Sequence, residues 1–575
     1  MRRIVLGIAI LATAAVAVFV TLLARAPLDG AGVAMLAALR DGSGLRVEVN
    51  GRTKLSMFPT PQVRMAGVSF AQGDQEPFAV ARELIGSPRM SALLFGRLEL
   101  GDVTLDGAQI ALDRIPVGAL FRTGVTPARA WTAPSIRIVD GRLAWGGQAV
   151  EKVEAGLVWA GAGRPLSASG YGTFADRPVE ATFALTDPEA LARHEPAPFR
   201  VRMEGGGARV TFDGTAIDDG GVRFTGDLSA RAASLRETLR WIGAPAPRRS
   251  SPLTGFSLVG RAAADKSGLS IADAELNLEG GSFLGAGRIA VVSGQPSIEA
   301  TLDTGRLDLD PYVNGIAPAL QEEHGWNPRP VDLKLLAGYD LDLRLSAGEV
   351  RSGALRLGPI AATVVIADGA FDLAVGEASA YDGTVGGHLS VSPEGAAGAR
   401  VRLQTELTGI DLDEALRRFV TQPPLTGALT ANISVEGVGV SAADVIAALK
   451  GEGEARVTGG SLEGIGRSRT LSLAGLRGGM DITSAEATLR IDRGVARTSD
   501  FAIMGSDATF TLSGEARLVD RDLRLQGFVK PKEGAWTLPV RVDGPLSSPK
   551  LRPYLSSATD PHAEADRRHS TTPGG

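Results

Sequence analysis

Side chains that could carry chemistry are few and scattered. The five histidines, His194, His324, His388, His562 and His569, are never closer than seven positions apart, so a metal site would need them to converge from distant segments. Their default reading is surface or tail histidine. Two pairs of carboxylates stand out, Glu322-Glu323 and Asp340/Asp342. The second pair sits two apart, which on a strand puts both on one wet face rather than in an acid–base couple. Gly285-Ala-Gly-Arg-Ile-Ala290 fits a loose dinucleotide fingerprint. It lies among strand and turn signals, without the helix that such a loop must open. The zinc-protease motif, the phosphate-binding lysine loop and the nucleophile elbow are absent from the sequence. Arg567-Arg568 is too sparse for a membrane-binding patch. The expectation is a non-enzymatic chain with no cofactor and no metal.

Composition narrows the class further. The 575 residues are 44% apolar and 22% charged, which is globular rather than disordered. Cysteine is absent, so disulfides and thiolate chemistry are excluded. The 60 basic and 65 acidic residues are interspersed, giving a net charge of −5 and no footprint for nucleic acid. Glycine is abundant, at 73 residues, and aromatics are only 5%. Many turns and few bulky side chains suit a sheet that bends often.

One segment fixes an expected placement. Ile4 to Ala24 is an uncharged, almost wholly apolar run of 21 residues, flanked by Arg2-Arg3 and Arg25. As a helix it would rise roughly 30 Å, enough to cross a bilayer core. A cleaved signal peptide is the rival, and Ala24-Arg25-Ala26 imitates its cut site. The run exceeds the usual apolar region of about 7–15 residues, and Pro27 follows directly, so the sequence favours an uncleaved anchor. The charge bias puts the N-terminus in the cytoplasm and the body outside it.

The body reads as strand. Val33 to Arg40 has the pattern of a short helix, and alternation then begins at Leu45, Val47 and Val49. Leu98 and Leu100 share a face; Val103 and Leu105 share one in the opposite parity, which places a bulge or turn at Gly101-Asp102. Tyr339, Leu341, Leu343 and Leu345 alternate with Asp340, Asp342 and Arg344. Leu538, Val540 and Val542 alternate in the last such strand, where Pro539 implies an edge or a strand start. Asp213-Gly214, Asp368-Gly369 and Asp382-Gly383 read as hairpin turns. Ser441 to Asp444 reads as a capping box for a helix running through Leu449-Lys450 and closed by Gly451. Leu235 to Ile242 and Leu412 to Val420 are short helices, and they belong to a repeat. Leu235-Arg-Glu-Thr-Leu239 precedes Pro252-Leu-Thr-Gly255 and a strand from Phe256; Leu412-Asp-Glu-Ala-Leu416 precedes Pro424-Leu-Thr-Gly427 and a strand from Ala428. A partial copy starts at Leu307-Asp-Leu-Asp-Pro-Tyr312. Such spacing predicts a modular array.

Four blocks resemble the AsmA family of Gram-negative envelope proteins: Gly44 to Gly51 with Phe58-Pro-Thr-Pro61; Ala92 to Leu105; Ala380 to Gly387 together with Pro424 to Ser461; and Leu538 to Pro545 with Ser548-Pro-Lys550. They span about the first 110 residues and roughly 330 to 554. The resemblance implies an inner-membrane anchor and a periplasmic body that binds or transfers phospholipid through an apolar groove, in support of outer-membrane biogenesis. Its implied partners are the inner membrane, phospholipid, and outer-membrane or envelope proteins. The expected fold is mainly β: an elongated, curled, taco-like antiparallel sheet built from repeats, with a few short helices, behind one N-terminal transmembrane helix. The expected segments are 1–26 (cytoplasmic tip and anchor), 27–330, 331–555 and a disordered tail, 556–575. Groove candidates are Leu98, Leu100, Val103, Leu105, Leu341, Leu343, Leu345, Val540 and Val542. Two alternatives stay open: a closed β-sandwich core behind the same alternation, and an assembly factor that engages outer-membrane proteins through strand edges.

Overall fold

A computed structural model describes residues 45–56, 62–72, 75–88, 100–114, 135–159, 163–243, 254–310, 321–322, 325–353, 355–395, 398–417, 425–462, 479–532, 536–546 and 548–553. The apolar run Ile4–Ala24, the short helix expected at Val33–Arg40 and the tail 556–575 lie outside them. Among the described residues no helix is long and apolar enough to cross a membrane.

Thirty-two of the described strands form one long sheet, and Gln321–Glu322 pairs separately with Gly325–Trp326. Pairing is mostly antiparallel between sequence neighbours, because short turns permit only that connection. Two pairings depart from the antiparallel expectation. Leu100–Asp106 and Gln109–Ala111 both run parallel to Ile136–Trp145. A parallel neighbour needs a connection of about a dozen residues or more, and 115–134 intervene.

The turn chemistry follows the sequence at Asp368-Gly369, and at Asp382-Gly383 the turn falls one residue earlier, on Tyr381-Asp382, because Gly383 already starts the strand Gly383–Glu394. Asp368 and Gly369 have φ of 51° and 75°, and Tyr381 and Asp382 have 47° and 59°, the left-handed pairs of tight hairpins. Asp213-Gly214 is different: both lie inside the strand Ala208–Asp218. Gly214 faces Gly226 on the next strand, and a Cβ there would strike the Thr225 carbonyl and the Gly226 Cα. The glycine allows close strand approach, not a turn. At Gly101-Asp102 the expected bulge is present: Val103 pairs with Gly86 and Leu100 with Pro88, so three steps oppose two.

Among the described residues four short α-helices interrupt the strands: α1 (Pro188–Ala192), α2 (Leu235–Trp241), α3 (Leu412–Leu416) and α4 (Ala442–Ala447). Each opens on a side-chain cap. Ser234 Oγ accepts from Glu237 N at 3.3 Å. Asp411 Oδ1 accepts from Asp413 N at 2.9 Å. Ser441 and Asp444 make the reciprocal box. Helix α4 stops earlier than expected: its cap is Ala448, and Lys450 already starts the strand Lys450–Thr458. The internal repeat is a structural one. Helix α2 is inserted between the paired strands Val222–Ala232 and Phe256–Asp265, and α3 between Gly398–Asp411 and Ala428–Gly439. Pro539 is the second residue of its strand, Leu538–Pro545, and does not mark the sheet's edge. Val540–Asp543 still pairs on the far side with a further short strand, Lys550–Pro553.

The chain divides into two compact units, Met1–Leu302 and Asp303–Gly575. In the first unit a dense core joins Val47, Met65, Phe70, Leu84, Val103, Leu105, Ile110, Ile136 and Ile138. Aromatic rings extend it: Trp145 stacks on Phe174 at 5.8 Å, and Trp241 meets the same ring edge-on at 5.3 Å. The Trp241 indole donates to the Phe174 carbonyl at 2.8 Å, which satisfies its one polar atom. In the second unit the packed cluster gathers Met480, Ile482, Ile503, Phe510, Leu512, Val529 and Val540.

Candidate functional site

Period-two alternation and antiparallel register together build a two-faced surface in the second unit. Leu343 pairs with Val364, Val364 with Leu373, Leu373 with Leu389, Leu389 with Leu403, and Leu403 with Val435. Paired residues share a face, so six strands contribute one apolar row. A neighbouring row runs Leu341, Ile366, Phe371, Val391, Val401. Another runs Leu345, Ala362, Val375, Gly387, Thr405, Ile433, where glycine and threonine lower the surface.

Most of these side chains are only half-buried. Leu403 keeps 37% of its surface exposed, whereas Phe510 in the packed cluster of the same unit keeps 1%. Protein closes over the second and covers the first only in part. The unit therefore displays a contiguous apolar face of a kind that soluble proteins seldom leave bare.

The opposite face is a charge ladder. Arg402 Nε sits 2.7 Å from Glu436, Arg400 2.9 Å from Glu394, and His388 3.3 Å from Asp372. The Arg402 and Arg400 guanidiniums hold the Glu436 carboxyl below its usual range, and Arg400 does the same for Glu394. These groups are solvated and add little stability. A shallow concavity on this face, lined by Arg490, Arg497 and Arg524, is of the same make. Arg497 is 3.5 Å from Glu515, Arg524 is 3.2 Å from Asp522, and Asp500 is occupied by Thr488 N and Thr498 Oγ1, each at 3.0 Å.

The first unit repeats the pattern. Val210, Ala230, Leu258 and Leu276 pair in one apolar row, and Phe212 pairs with Leu228. Leu228, Leu258 and Leu276 are half-buried. Arg200 Nε is 2.8 Å from Asp213 on the other face.

The nine sequence candidates separate into three groups. Leu98 lies outside the described residues, and Leu100 is placed only as the start of its strand. Val103, Leu105 and Val540 are fully buried, the first two in the packed core of the first unit and the last in that of the second. Their apolar face is covered by protein, and Val542 packs against the second cluster. Leu341, Leu343 and Leu345 lie together on the half-open face, with Arg344 exposed opposite. Leu373, Leu389 and Leu403, the middle of that face, were not among the sequence candidates. Alternation at Phe371, Leu373 and Val375 could have found some of them, but not their alignment.

Other chemistry stays dispersed. Among the described residues no three His, Cys, Asp or Glu side chains group as a metal site. Gly285 and Gly287 lie within the strand Gly281–Val292, where Gly285 passes close to the Thr301 carbonyl rather than cradling a phosphate. No family model, no curated protein and no solved structure matches the chain. The fold and its faces define a one-sheet β-protein with a charged face and an apolar face that its own chain only partly covers.

Proposed function

We propose that the chain binds phospholipid by laying acyl chains on these half-open apolar rows. In this reading a membrane helix at Ile4–Ala24 tethers a periplasmic body on the inner membrane, and the body holds or transfers lipid for outer-membrane biogenesis. The curled, groove-like sheet expected from the sequence belongs to the same proposal. One observation carries it: the row Leu343, Val364, Leu373, Leu389, Leu403 is contiguous and only half-buried while its charged counterface is solvated. Each buried methylene of an acyl chain gains about 0.8 kcal/mol, so an apolar face of this extent retains a lipid without a dedicated binding motif. No catalytic group is needed. The alternative, capture of client strands at the sheet edge, is less favoured by the structure. The edge strand Lys550–Pro553 is four residues long and ends in proline, features that resist added strands.

Native mass spectrometry of the full chain in mild detergent tests the proposal. Co-isolated phospholipid is expected, with occupancy reduced by Leu373→Asp and unchanged by Asp372→Ser. A protein that carries no lipid, or loses it equally in both variants, contradicts it.

A further inference from the structure

The charged face of the second unit is interrupted at one place. The register of Met480–Asp492 against Val495–Gly505 skips between Glu486 and Arg490, and that of Val495–Gly505 against Ala508–Arg517 skips between Thr498 and Phe501. Such bulges bend a strand and re-aim its side chains. Residues at both skips, Arg490 and Thr498 among them, line the shallow concavity, whose volume is about 990 Å³.

Its charges do not balance. Four arginines line it, Arg490, Arg497, Arg524 and Arg541, against three carboxylates. One of the three, Asp500, is engaged by Thr488 N and Thr498 Oγ1. Register sets Arg490 directly opposite Arg497, and both are exposed. Residues so paired hold their Cβ atoms about 4.5–5.5 Å apart, and like charges there repel. Ion pairing is also looser than elsewhere on this face. Arg402 and Arg400 lie 2.7 and 2.9 Å from their carboxylates, within the charge-assisted hydrogen-bond range of about 2.7–2.9 Å. Arg497 stands 3.5 Å from Glu515, and Arg524 shares one Asp522 oxygen with Arg517, at 3.2 and 3.4 Å. Among the described residues Arg490 makes no ion pair, although Glu452 is opposite it on its other neighbour.

We infer that this concavity binds a phosphate monoester, with Arg490 and Arg497 as a two-armed clamp and Arg524 as a further donor. A monoester carries about −1.5 to −2 charges at neutral pH and three acceptor oxygens, which suits two opposed guanidiniums. Each planar fork grips two oxygens at once. The same group occurs free, as in glycerol 3-phosphate, and at a bilayer, as in phosphatidic acid. The site lies on the charged face and does not depend on acyl chains at the apolar rows.

Isothermal titration calorimetry of the full chain in mild non-ionic detergent tests it with two probes, glycerol 3-phosphate and phosphatidic acid dispersed in the same micelles. Glycerol 3-phosphate is expected to bind at one site per chain, and glycerol not at all. Arg490→Gln and Arg497→Gln should each weaken binding about tenfold, the loss of one charge-assisted contact. Arg490→Lys should recover only part of that, because an ammonium lacks the fork. Arg402→Gln, in a tight pair elsewhere on the face, should change nothing, and neither should Leu373→Asp on the apolar rows. Free ester bound by the parent and weakened in Arg490→Gln supports the site with a soluble ligand. Phosphatidic acid alone bound, and weakened in Arg490→Gln, supports it with a membrane head group. Circular dichroism establishes that each variant is folded. Binding of neither probe overturns the site, as does binding that folded Arg490→Gln leaves unchanged. Equal weakening by Arg402→Gln also overturns it, because diffuse charge rather than a clamp would then hold the anion.

Discussion

Within Asp303–Gly575, the strands from Asp340 to Gly439 and those from Met480 to Pro545 are written in the same alternating code but have different fates. In the later block Phe510, Val529 and Val540 keep at most 1% of their surface. In the earlier block Leu343, Leu373 and Leu389 are half-buried and Leu403 is exposed. Hydrophobic periodicity sets which face is apolar. Whether anything covers that face depends on packing partners far away in sequence.

The difference makes graded predictions. The largest effect belongs to the packed block: Phe510→Ala should cost about 3–5 kcal/mol by chemical denaturation, through lost transfer energy and a cavity. Leu389→Ala on the open face should cost less than about 1.5 kcal/mol, because less surface leaves water and no closed cavity forms. Equal costs would mean that both blocks are cores. Next comes backbone spacing. Gly214→Ala should destabilise the first unit by roughly 1–3 kcal/mol, since its Cβ would meet the Thr225 carbonyl and the Gly226 Cα. Gly207→Ala, on a left-handed turn with open space around it, should cost about 1 kcal/mol through backbone strain alone. A reversed order would remove the close-approach account of the strand glycines.

The smallest effect concerns the charged face. Arg402 and Arg400 hold the Glu436 carboxyl below its ordinary value, and Arg400 does the same for Glu394. Their contribution is complete above that value and disappears as pH falls through their lowered folded values. Stability of Glu436→Gln and of the parent should therefore draw together as pH falls below the ordinary carboxyl range and through the lowered folded value. A gap that persists into acid would assign the loss to packing rather than charge.

Much of this was legible in the residues, for local reasons. Leu45–Val49, the turn at Asp368-Gly369, the Ser441–Asp444 box and the bulge at Gly101-Asp102 all follow from side-chain period or from φ preference, whereas the turn expected at Asp382-Gly383 falls one residue earlier. Asp213-Gly214 misled because a glycine needed for strand approach has the same spelling as a turn. The parallel pairings of Ile136–Trp145 were invisible because they depend on a long connection. At the candidate face the sequence identified Leu341, Leu343 and Leu345. It could not separate them from Val103, Leu105 and Val540, since burial by distant strands leaves no mark on local alternation.

The half-open face is the central claim, and site-specific photocrosslinking in cells tests it most directly. A photoreactive residue at Leu403 should yield lipid adducts. The same probe at Gln404, its neighbour on the charged face, and at packed Phe510 should yield none. The two adjacent positions sit only a few Å apart on opposite faces, so local lipid concentration cannot account for a difference. Lipid adducts at Leu403 alone are the predicted result; equal adducts at Leu403 and Gln404, or protein adducts only at Leu403, would contradict it.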